Sequence, residues 1–455
     1  MTIRKDLLVA VAALAMLTAG CATQGATDMP QTTPQSMSGL ATPEQIAFER
    51  QILRVLESPA MKAEIARVEQ LYAADPQGAT PTGKATIARG AHSIAVAATQ
   101  YAVGEDPDRP AAFWVINAPH EWSGLSFPRS GYGIDNPNNV YRNVMLSGTA
   151  RYEIHGRVSP PGPVEQHFEI RESIPGTTPL NEEAGQQVAT LSDAQISYAA
   201  DGSFVISIDS SPADGRANHM QIPEKGTFLL IVRDLFTDWS SQNPVALDVR
   251  RIGGPPVSPP RSEDEVVARS VSLLSQIAPF WLGYFNAYVY SGKANEVSGV
   301  RVRPGGRGMS SAGHFLLKDD EALVMTLDPL GAKSMDVQLT DPWGVSYEYR
   351  NRTSSLNNAQ ALPNPDGTIT FVISRTDPGV RNWLDPEGHA AGMFAVRWQG
   401  LQQQPRTDLA IRKAEVVRLE RLKSLLPGST GWVSQADRQK LLAERARGHA
   451  RRLGD

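Results

Sequence analysis

The sequence predicts an α+β, mainly β protein: two tandem β-sandwich domains with flanking and intervening helices. Three observations carry this. Short apolar or alternating segments, broken by Gly, Pro, Asn and Asp, recur across residues 113–252 and again across 315–398. The two strand-rich blocks share a series of markers at matching spacing. Stretches with helical periodicity lie before, between and after them.

The N-terminus reads as an address. Arg4 and Lys5 precede a thirteen-residue apolar run, residues 7–19. A bilayer-spanning helix needs about 20 residues, so this is the core of a signal peptide. The run ends Leu17-Thr18-Ala19-Gly20-Cys21, which resembles the bacterial lipoprotein signal-peptidase site, and Cys21 is the only cysteine in the chain. The resemblance implies cleavage before Cys21 and lipidation of that residue. Multiple acyl chains at about 0.8 kcal/mol per buried CH₂ hold a protein on a membrane. Ala22 rather than Asp follows, so inner-membrane retention is not signalled; the expected location is the outer membrane, facing the periplasm. Residues 21–40 are polar and small and read as a flexible tether.

The body follows in order. Over 41–109, Thr42-Pro43-Glu44-Gln45 starts a helix, Pro59 divides the pattern in two, and 84–103 continues it with alanines. The first β-domain is expected over 110–254. A linker and an aromatic helix occupy 255–300: Ser262 with Glu265 forms a capping box, and Phe280, Trp281, Tyr284, Phe285 and Tyr288 make a face too large to leave in water. Pro279 should kink that helix. The second β-domain is expected over 301–400. Over 401–455, charged amphipathic helices are expected at 409–425 and 434–453. Residues 406–455 hold twelve Lys/Arg and six Asp/Glu, so this tail could meet anionic lipid or an acidic partner.

The internal repeat is specific in its spacing. The first block has Asp201-Gly202, Pro212, Asn218 and Arg233; the second has Asp366-Gly367, Pro378, Asn382 and Arg397. From Asp to Arg is 32 residues in one and 31 in the other. Asp-Gly between strands marks a turn, because Gly accepts positive φ. With residues 136–142 and 233–239, the first block resembles the bacterial family catalogued as domain of unknown function 1214. Residues 377–385, 388–389 and 397–398 resemble the C-terminal signature of its long members. The resemblance implies jelly-roll-like β-domains in secreted or envelope-associated proteins, and it carries no catalytic residues.

Composition excludes several chemistries. The net charge of −4 offers no basic field for nucleic acid. One cysteine excludes intrachain disulfides and Cys-rich zinc sites, and the lipidation that the resemblance implies for it excludes thiol catalysis. The pattern Gly-x-Ser-x-Gly does not occur. No cofactor or metal is expected. His155, His167 and Glu169 could converge on a metal only if neighbouring strands bring them together. The loop Arg303-Pro304-Gly305-Gly306-Arg307-Gly308 could cradle an anion, but it lacks both phosphate-loop fingerprints.

Two polar-aromatic clusters are the candidate ligand sites. The main one is Arg375, Asp377, Arg381, Asn382, Trp383, Asp385 and His389. The second is His120, Glu121, Trp122, Tyr132, Asp135 and Arg142, with Asn139 in the same stretch. Trp beside Arg, Asp and Asn suits stacking on a ring and hydrogen bonding at its edge. The leading expectation is a binding or accessory module for a small organic or saccharide ligand. A hydrolase or lyase using His389 with Asp377 or Asp385, and a structural protein docking through the basic tail, are the alternatives. Arg233 and Arg397 are expected to be structural partners of loop carboxylates.

Overall fold

Three helices open the body, and each begins with Ser or Thr followed by Pro. They are α1 (Pro43–Glu57), α2 (Pro59–Ala74) and α3 (Pro81–Gly104). The side chains of Thr42, Ser58 and Thr80 accept hydrogen bonds from the Gln45, Met61 and Gly83 N–H groups at 3.1, 3.3 and 3.0 Å. The missing Pro N–H costs nothing in a first turn, so the expected division at Pro59 holds. In this computed structural model the described residues are 39–297, 299–401, 406–426 and 428–453. The signal peptide, Cys21 and all but the end of the tether lie outside them. Leu40, placed in the tether from sequence, is already buried beside Trp114 and Trp239.

The first repeat supplies β1 (Phe113–Val115), the hairpin β2 (His120–Trp122) and β3 (Leu125–Phe127), β4 (Asn139–Ser147), β5 (Arg151–Arg157), β6 (Glu165–Arg171), β7 (Gln187–Ser192), β8 (Ser203–Asp209), β9 (His219–Gln221), β10 (Thr227–Leu235) and β11 (Ala246–Gly253). Helix α4 (Glu263–Tyr288) follows; it runs through Pro279, with Ser262 and Glu265 forming the expected capping box. The second repeat supplies β12 (Arg301–Val302), β13 (Met309–Leu316), β14 (Glu321–Leu327), β15 (Ser334–Thr340), β16 (Ser355–Asn357), β17 (Ile369–Ser374), β18 (Trp383–Leu384), β19 (Ala391–Gln399) and β20 (Ile411–Arg418). The described chain ends with α5 (Leu422–Leu425) and α6 (Gln435–Ala450).

Both repeats have one topology. The five-stranded sheets run β1-β4-β10-β6-β7 and β12-β13-β19-β15-β16; the four-stranded sheets run β11-β5-β8-β9 and β20-β14-β17-β18. The parallel pair β8–β9 recurs as β17–β18. Neither repeat closes into a barrel. Each central strand alternates between two environments, as the period of two requires. Leu230 and Val232 of β10 enter the first sandwich core, while Ile231 and Arg233 face out of it. Phe394, Val396 and Trp398 of β19 enter the second core, while Ala395 and Arg397 face out. The outward faces of both five-stranded sheets and helices α1 to α4 share one further apolar cluster, which includes Ile231, Ala395 and Trp281.

One expectation needs correction. Residues 409–425 are not an amphipathic helix. Their centre is β20, paired along its whole length with β14, and only the four residues of α5 are α-helical. Three arginines of the basic tail are drawn into the fold. Arg438 donates to Asp377 at 2.9 Å, Arg445 to the Ser355 hydroxyl at 2.8 Å, and Arg452 to the Pro137 carbonyl at 2.9 Å. These three arginines are buried, and Arg445 and Arg452 also lie over the Trp239 ring. Helix α6 and the turn after it thus contact both repeats.

Candidate functional site

A cavity of about 350 Å³ lies where the outward faces of the two five-stranded sheets meet α4. That is within the range of small-molecule sites, about 300–1,000 Å³. Its first wall comes from β4, β6 and β10, which supply Tyr141, His167, Arg171, Ile231 and Arg233. Its second comes from β13 and β19, with Ser310, Ala312, Ala395 and Arg397. Trp281, Tyr284 and Tyr288 of α4 line it, as do Tyr101 and Tyr132. The loop before β13 adds Arg303 and Arg307.

The first wall is built around a buried carboxylate. Glu169 is fully buried on β6 and accepts from Arg171 at 2.5 Å and from Arg233 at 2.6 Å. The Arg307 Nε lies 4.0 Å from it. Burial alone would raise the Glu169 carboxyl, but Arg233, Arg307 and Arg171 together hold it far below the ordinary carboxylate range. His167, opposite Arg233 in the strand register, is pushed down to about 4 by burial and by Arg233, so its ring is neutral. Glu165 at the start of β6 is pushed up to about 7 by burial and by Asp193.

The aromatic end carries hydrogen-bond donors. The Tyr101 and Tyr132 hydroxyls are 2.5 Å apart, and burial raises both phenols, so both stay protonated. Tyr132 sits edge-on to Trp281, with centroids 5.8 Å apart. Among the described residues, the Trp281 indole N–H, His167 Nδ1 and the Asn139 side-chain oxygen are buried without a hydrogen-bond partner, and all three residues line the cavity.

The main sequence candidates are elsewhere. Asp377 is held by Arg438, and Asp385 accepts from Arg352 at 2.8 Å. Asn382 braces a loop by accepting from the Leu362 N–H and donating to the Leu362 carbonyl, at 2.7 and 2.8 Å. Trp383 donates to the Ser374 carbonyl at 3.0 Å beneath Arg438. Arg375 binds Asp319 and the Gly388 carbonyl, and Arg381 meets Gly431 through its backbone. His389 stacks on Tyr347, with ring centroids 5.4 Å apart, while Asp377 and Asp385 are engaged by Arg438 and Arg352. None of these residues lines the cavity.

The second cluster divides. Tyr132, Asp135 and Asn139 line the cavity. His120 and Trp122 instead bind the buried Glu49 of α1 at 3.1 and 2.7 Å, Arg142 pairs with buried Asp234, and Glu121 is exposed. His155 lies in the four-stranded sheet beside Glu153, away from His167 and Glu169, and no metal-ligand cluster occurs among the described residues.

Arg233 and Arg397 correct the sequence reading most. Both face the cavity, and their carboxylates lie on strands rather than loops: Glu169 on β6 and Asp336 on β15. The missed residues, Arg171, Trp281 and Arg307 among them, are far apart in sequence. The local signals were the aromatic face of α4 and the basic glycine-rich loop at 303–308.

Residues 141–237 match the family described as "Protein of unknown function (DUF1214)". A crystal structure of an uncharacterized protein from Burkholderia cenocepacia has a TM-score of 0.63 and 24% identity, covering 83% of this chain and 97% of that one. The VPA0106 protein from Vibrio parahaemolyticus gives a TM-score of 0.38 at 9% identity, covering 63% and 90%. No curated protein matches the chain. The second block lies beyond the matched segment, and its kinship to the first rests on shared topology. The chain therefore shares the fold of the Burkholderia protein and carries, at residues 141–237, a match to the family of unknown function 1214.

Proposed function

We propose that this protein is a binding or accessory module for a small organic ligand, lipid-anchored in the cell envelope through Cys21. The observation that supports it is the cavity walled by both repeats and floored by the aromatic face of α4. It combines an apolar, ring-lined half with a few convergent polar groups, the common makeup of a ligand site. Buried polar atoms without partners supply one donor, the Trp281 indole N–H, and two acceptors, His167 Nδ1 and the Asn139 oxygen, that a ligand can satisfy.

A thermal-shift screen against sugars, aromatic acids, steroids, fatty acids and divalent metals tests the binding. A ligand at 100 Kd adds about 2.7 kcal/mol of stability. One class should raise the melting temperature, and Ala312→Trp, which fills the cavity, should abolish the rise. Silence from every class, or a rise that survives Ala312→Trp, refutes the reading. Membrane fractionation tests the anchor: Cys21→Ser should release the protein to the soluble fraction.

A further inference from the structure

We infer that the cavity takes an organic anion, an aromatic or alicyclic carboxylic acid whose carboxylate meets Arg233 and Arg307 and whose ring lies toward Trp281. This rests on the binding reading above and names its ligand class.

The first wall carries more guanidiniums than carboxylates around a buried centre, where Glu169 is fully buried and Arg171 nearly so. Glu169 is shared by Arg171 and Arg233 at 2.5 and 2.6 Å, with Arg307 at 4.0 Å. Glu183 is shared by Arg303 and Arg307 at 3.1 and 2.6 Å. With Glu182 paired to Arg301, and Glu165 at the start of β6, five guanidiniums face four carboxylates, and Glu165 is the one that burial pushes toward its neutral form. His167 is neutral and adds no charge. Arg171 is only 3% exposed, and its Nε has no hydrogen-bond partner among the described residues. Surplus buried charge is costly without a counter-ion, and a guanidinium fork matches a carboxylate in geometry as well as sign.

The opposite wall has no such surplus. Arg397 donates to Gln338 and to the Ile134 carbonyl, with Asp336 3.7 Å away. The charged end of the ligand thus belongs at the first repeat. A neutral sugar would leave the surplus uncompensated. The indole of Trp281 and the phenols of Tyr101 and Tyr132 give a ring aromatic surface to lie against, with hydroxyls close by.

The test is calorimetric titration of the full chain in detergent with matched probes: 2-naphthoate against 2-naphthamide, and cyclohexanecarboxylate against its amide. The acids should bind at least tenfold tighter than the amides, and added salt should weaken only the acids. Arg307→Gln should collapse the preference while Arg307→Lys keeps part of it. Arg307 lies in an irregular loop, so both variants should fold, which a melting curve checks. Equal affinity for acid and amide overturns the inference and leaves the binding reading standing. So does a preference that survives both Arg307→Gln and Arg233→Gln. Silence from all four probes also overturns it; the binding reading falls only if the wider thermal-shift screen is silent too.

Discussion

The two walls of the cavity are the same strand framework with different charges on it. In the first repeat Arg233 lies opposite Tyr141 on β4 and His167 on β6. In the second Arg397 lies opposite Ser310 on β13 and Asp336 on β15. Two residues along, Glu169 corresponds to Gln338. Gln338 and a backbone carbonyl occupy Arg397, so that arginine is locally satisfied. Glu169 is divided among three arginines, so those of the first wall are not. Repetition fixed where an arginine would face the cavity; the residue two places along decided whether it was left seeking an anion.

The comparison breaks most visibly at Glu169. Glu169→Gln leaves Arg171 and Arg233 buried without their carboxylate. Removing one partner of a buried ion pair costs about 3–5 kcal/mol. Urea unfolding should show a loss of that size. The change at the corresponding position of the second wall, Gln338→Ala, removes the hydrogen bonds that the Gln338 amide accepts from Arg397 and donates to the Asp135 carbonyl, and should cost about 1–3 kcal/mol. Equal losses would mean that the walls do not differ as their charges suggest.

Glu165 sharpens the contrast through pH. Its folded pKa, near 7, lies above the ordinary 4.5, so the fold prefers the protonated form. The stability this contributes is full below about 4.5 and is lost as pH rises through 7. Glu165→Gln should therefore be the more stable protein at pH 8, by on the order of 1–2 kcal/mol after solvent screening, with no advantage at pH 4. His167 works in the opposite direction: its depressed pKa gives stability that is present above 6.5 and lost as pH falls through 4. Melting temperatures of His167→Gln and Glu165→Gln across that range should diverge from the parent at opposite ends. A Glu165→Gln curve parallel to the parent would place that carboxyl in water.

Much of this architecture was legible because it is written locally. The Thr-Pro and Ser-Pro helix starts, the capping box at Ser262, and the Asp-Gly, Asn and Arg markers of the repeat each act within a few residues. Strand β20 was not, because Arg412, Lys413, Ala414 and Glu415 are good helix formers and only pairing with β14 makes them extended. The cavity was not legible as a site because it is assembled from residues far apart in the chain, from Tyr101 to Arg397. Local density of Trp, Arg, Asp and Asn drew attention to 375–389 instead. There the same residue types pin loops and the end of a short strand.

The smallest effect expected concerns that misleading cluster, and it decides which repeat carries the ligand's charged end. Arg381 meets the rest of the protein through its backbone, and burial together with nearby Arg438 disfavours its charge. Arg381→Ala removes a cation from beside another cation. As for most substitutions away from a core or a network, stability should change by less than about 0.5 kcal/mol. The affinity for any ligand that Arg307→Gln weakens should not change at all, because Arg381 does not line the cavity. Titration of the two variants side by side separates the regions. If Arg381→Ala weakens binding and Arg307→Gln does not, the site lies at the β18 end of the second sandwich, and the charge surplus of the first wall is only a feature of its packing.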